Sequence, residues 1–78
     1  MAADIYTSAG ALSADLADAG YEGWASRIDE VIVAATSSAQ VVRGLHDTLG
    51  SLLAQEAALP EPLRVRVAQL REALAAAR

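Results

Sequence analysis

Residues 37–53 read SSAQVVRGLHDTLGSLL, and the spacing of their apolar side chains decides the fold class. Val41 and Val42, Leu45, Leu49, and Leu52 and Leu53 fall at steps of three and four, which puts them on one broad face of a helix. A strand would need apolar residues at every second position, and no segment of the chain alternates that way over a useful length. Ser37 followed by Gln40 reads as a capping box: the serine hydroxyl takes an orphan amide of the first turn and the glutamine reaches back. This helix has the broadest apolar face in the chain, which predicts a central position for it. Gly44 and Gly50 each lower its intrinsic stability by about 1 kcal/mol relative to alanine. Close packing against a neighbour would compensate, with a kink at Gly50 as the alternative.

The same period continues on both sides. Upstream, Ile5, Ala9, Leu12, Leu16 and Ala19 line one face of a first helix from about Asp4 to Ala19, with Asp4 as its cap. Gly20 suits the left-handed position that ends a helix, after which Tyr21 can fold back onto the last turn. Trp24, Ile28, Val31, Ile32 and Ala35 give a second helix from about Tyr21 to Ala35. Downstream, Leu59-Pro60-Glu61-Pro62 is expected to stop the third helix and start a fourth, because proline is tolerated in a first turn. Leu63, Val67, Leu70 and Leu74 then make a narrow seam. The sequence therefore predicts an all-α protein, a compact antiparallel bundle of about four short helices forming a single domain over residues 1–78.

Composition limits what such a bundle can do. The chain has 78 residues and is 54% apolar, but 19 of its apolar residues are alanine, so a monomeric core is marginal and self-association or docking would add burial. Cysteine is absent, which excludes disulfides and thiolate metal sites. Met1-Ala2-Ala3-Asp4 does not read as a secretory signal. No apolar run exceeds that from Val31 to Ala35, far short of the ~20 residues that span a bilayer. These features predict a soluble cytoplasmic protein. Alanine richness, with arginine as the only basic side chain, suggests a GC-rich bacterial coding sequence.

Charge is distributed unevenly. Residues 1–62 carry nine acids against Arg27 and Arg43, whereas residues 63–78 carry Arg64, Arg66, Arg71 and Arg78 against Glu72. Asp15, Asp18, Glu22, Asp29 and Glu30 gather around the predicted first turn and second helix, with Tyr21 among them as an aromatic anchor. Such a surface would attract a basic protein partner and speed encounter. The plainer interpretation is solvation, with the acids attracting the arginines of the same chain. Arg64, Arg71 and Arg78 repeat every seven residues, but without interleaved aromatics and in a chain of net charge −4 they make a weak nucleic-acid footprint.

Chemistry has little to work with. His46 is the only histidine, its neighbour Asp47 projects from a different direction of the helix, and Ser51 is poorly spaced for a nucleophile–base pair. Glu-x-x-His pairs, zinc motifs, calcium-loop spacing and glycine-rich phosphate loops are all missing, so neither a metal nor a cofactor is expected. Val33, Val65 and Tyr6 fall outside the apolar seams and are candidate contact residues. The expected function is a small acidic, non-enzymatic protein-binding module of the inhibitor, immunity or regulatory-adaptor kind. Its binding surface would comprise Asp15, Asp18, Tyr21, Glu22, Asp29 and Glu30. The alternative is a homodimer or larger self-assembling scaffold built on Leu63, Val67, Leu70 and Leu74, and a DNA-binding regulator using the arginine-rich fourth helix is the weakest reading.

Overall fold

The computed structural model describes residues 2–76 and consists of four helices, α1 (Ala2–Asp18), α2 (Glu22–Ala34), α3 (Ser38–Gln55) and α4 (Glu61–Ala76). The sequence expectation of an all-α bundle holds. Each helix packs mainly against two others, α1 on α2 and α4, and α3 on α4 and α2, so the four close into a ring. The expected central position of α3 is therefore corrected. Its broad apolar face is covered by two neighbours, as the face of α1 is, because a ring of four short helices has no central member.

The core lies along the axis of this ring. Ala9, Leu12 and Leu16 of α1 meet Trp24, Ala25 and Ile28 of α2, and Val41, Leu45, Leu49 and Leu52 of α3 complete the layer together with the α4 seam. The radius of gyration is 11.3 Å, against about 11.5 Å for a compact globule of this length. A single chain thus closes its own core. Val31, Ile32, Ala35, Val42 and Leu53 pack at its edge and are only partly buried.

Helix ends follow the local chemistry, with two departures. Gly20 has φ +94°, and the hydrogen bonds from Tyr21 N to Leu16 O (2.8 Å) and Gly20 N to Ala17 O (3.1 Å) form the closing pair of a Schellman motif. Ser37 Oγ accepts from Gln40 N at 3.3 Å. The reciprocal bond goes one residue further back than a capping box requires, because Gln40 Oε1 accepts from Thr36 N (2.8 Å) and Thr36 Oγ1 (3.0 Å). Helix α1 starts ahead of Asp4, whose side chain lies outside the described residues.

The larger departure is at the end of α3, which stops at Gln55, well before the prolines. Leu59 turns back into the core, 4% exposed, and its amide donates to Glu56 O. The guanidinium of Arg64 then donates to Glu56 O (2.9 Å) and Ala57 O (3.0 Å), satisfying carbonyls the helix has released. The Trp24 indole N–H donates to Glu56 Oε2 at 3.1 Å, so one residue ties α2, α3 and α4 together.

The two glycines of α3 mark close contacts with neighbouring helices. A Cβ at Gly44 would come within 2.7 Å of Val31 Cγ1 on α2, and one at Gly50 within 3.3 Å of Arg71 Nε on α4. Helix α3 continues through both.

Candidate functional site

The α1–α2 hairpin carries the acids singled out in the sequence, and its register is set by Ser13. This buried hydroxyl lies within hydrogen-bond reach of both Ala25 O (3.2 Å) and Asp29 Oδ1 (3.0 Å), so one proton serves two acceptors on α2. The contact draws Asp29 toward α1. Asp15, two residues after Ser13, projects from the other side of α1 and forms an ion pair with Arg66 of α4. Asp15 and Asp29 therefore do not share one surface.

The remaining predicted residues divide differently. Asp18 and Glu22 are exposed on either side of the Gly20 turn, and Glu30 is exposed on α2. None of these three carboxylates has a hydrogen-bond or ion-pair partner among the described residues. Tyr21 is half-buried against the core and contributes its amide to the Schellman turn.

The core-facing positions of α2 fix what it presents outward. With Trp24, Ala25 and Ile28 buried, the opposite side displays Glu22, Ser26, Glu30 and Val33 at steps of four, four and three. Val33 is 84% exposed, the most exposed large apolar side chain described. It borders a shallow depression of about 370 Å³ lined by Asp29, Glu30, Val33 and Ala34. Val33 is visible in the sequence as an apolar residue off the seam. Ser26 was missed, and only the helical period relative to Trp24 and Ile28 could have found it.

The arginines are spent mostly inside the fold. Arg64 closes the end of α3, Arg66 pairs with Asp15, and Arg27 stacks over the Trp24 ring at 4.4 Å, whereas Arg71 is exposed beside Gly50 with no hydrogen bond or ion pair among the described residues. Of the described arginines this leaves Arg43 and Arg71. In the stripe of Arg64, Arg71 and Arg78, Arg64 is engaged with backbone carbonyls, and Arg78 lies outside the described residues.

The candidate self-association residues Leu63, Val67, Leu70 and Leu74 are 9%, 0%, 7% and 0% exposed within the single chain. Their seam is covered by the chain's own helices, so in this conformation it offers nothing to a second copy. A separate groove of about 360 Å³ runs between α1 and α4, with Ser8, Ala11, Gln69 and Ala73 on its walls and Arg66 at one side.

His46 is partly buried, and its Nδ1 lies 3.9 Å from Asp47 Oδ1, too long for a hydrogen bond. Among the described residues no group of three or more His, Asp or Glu side chains is placed to hold a metal ion. No helix among them is long and apolar enough to cross a membrane. The sequence matches no family model, and neither a curated protein nor a solved structure is similar to it.

Proposed function

We propose that this chain is a small acidic, non-catalytic protein-binding module that acts on a basic protein partner in the cytoplasm, in the manner of an inhibitor, an immunity protein or a regulatory adaptor. The observation that carries this reading is the unequal use of charge. Arg64, Arg66 and Arg27 are engaged with their own chain, while Asp18, Glu22 and Glu30 face solvent with no partner among the described residues. The negative field of the α1–α2 hairpin is therefore not cancelled locally, and it favours encounter with a cationic surface. Engagement of Arg64 and Arg66 in the fold argues against the DNA-binding alternative, whose phosphate contacts would need those groups free.

The test is capture of partners from an extract of the source cells at low salt, elution at high salt, and repetition with the Asp18→Lys/Glu22→Lys/Glu30→Lys variant. A basic protein held by the native chain and lost by the variant is the expected result. Retention of the same protein by the variant, independent of salt, would overturn the reading.

A further inference from the structure

We infer that the outer face of α2, from Glu22 to Val33, docks an amphipathic basic helix of the partner, with Val33 receiving an apolar side chain and Glu22 and Glu30 receiving cations. This inference rests on the proposed binding of a basic protein and assigns its surface and the form of the ligand. Three independent features of α2 meet there. Val33 is 84% exposed near the end of α2, beside a depression that it lines together with Asp29, Glu30 and Ala34. The charged groups on that face are all acidic, since Arg27 is turned aside onto Trp24. Gly23, Ser26 and Ala34 carry small side chains or none, and a Cβ at Gly23 would meet nothing within 4 Å, so a second helix can approach closely.

The dimensions specify the ligand further. Glu22 and Glu30 are eight residues apart, about 12 Å along the helix axis. A partner helix with cations about two turns apart and an apolar residue one turn beyond them would meet both carboxylates and Val33 together. An extended basic tail could satisfy the carboxylates but would leave Val33 uncovered. Asp15 takes no part, because Arg66 already holds it on the other side of α1.

Isotope-labelled full chain titrated with a synthetic leucine–lysine amphipathic helical peptide tests the assignment, with oligolysine and a leucine–glutamate peptide for comparison. The expected result is amide shift changes concentrated on Glu22, Ser26, Glu30, Val33 and Ala34, with the leucine–lysine peptide binding more tightly than oligolysine. Val33→Arg should weaken that binding by about tenfold or more, while leaving the helical spectrum and thermal midpoint as they were, since the side chain is in solvent. Unchanged affinity of Val33→Arg, or shifts spread evenly over Asp18, Asp47, Glu61 and Glu72, would overturn the assignment and leave the basic-partner reading standing. No binding of either basic peptide would remove both.

Discussion

Gly44 and Gly50 lie in the same helix, six residues apart in the sequence, yet the structure assigns opposite signs to replacing them with alanine. In each case the alanine should gain about 1 kcal/mol of helix propensity. At Gly44 the new methyl group would stand 2.7 Å from Val31 Cγ1, where ordinary contact begins at 3.4 Å, a shortfall of 0.7 Å. Valine is stiff about its single side-chain torsion, so relief requires α2 and α3 to separate or Val31 to leave its rotamer. Overpacking of this kind costs about 1–3 kcal/mol. Val31 is only half-buried and can yield in part, so the net effect is a destabilisation of about 1 kcal/mol, or roughly 4–8 °C in midpoint for a domain this small. At Gly50 the obstacle is the Arg71 guanidinium at 3.3 Å, the far end of a flexible side chain, and the propensity gain should survive as a net stabilisation of about 0.5 kcal/mol. Urea unfolding followed by circular dichroism measures both. Adding Val31→Ala should relieve Gly44→Ala, giving a non-additivity of about 1 kcal/mol in a double-mutant cycle. If Gly44→Ala stabilises the chain as much as Gly50→Ala does, α2 does not press on α3 at that level and the packing argument fails.

Two further substitutions probe the core and the end of α3. Arg64→Met keeps the aliphatic stem but removes both hydrogen bonds to the α3 terminus; because water can reach the released carbonyls, the expected loss is about 1–2 kcal/mol by urea unfolding, and a loss below about 0.3 kcal/mol would mean that Arg64 is not the cap. Leu70→Asp puts a carboxylate at a 7% exposed position, at a cost of about 3–5 kcal/mol. That is a large part of the roughly 4–12 kcal/mol available to a chain of this size. The expectation is a loss of helical signal in sedimentation-matched samples, and a fully folded monomer released from an oligomer would contradict the closed single-chain core.

The sequence by itself determined the four helices and most of their punctuation. Apolar steps of three and four marked the faces of α1 and α3, Gly20 marked the left-handed turn, and Ser37 marked the start of α3, because capping and helical periodicity act within a few residues of each other. It also carried the narrow seam of α4 and the off-seam position of Val33. What the tertiary structure decided was the use of each charged or tightly packed group. Glu56 ends α3 because Trp24, 32 residues earlier, and Arg64, on the next helix, both converge on it. Asp15 leaves the acidic surface because α4 brings Arg66 against it, and the α4 seam is interior because the other helices close over it. Such pairings depend on how helices approach across the ring, and a pattern read along one chain holds the faces but not their neighbours. The outer face of α2 follows from both: the period says which residues share it, and only the packing of the remaining helices leaves it open.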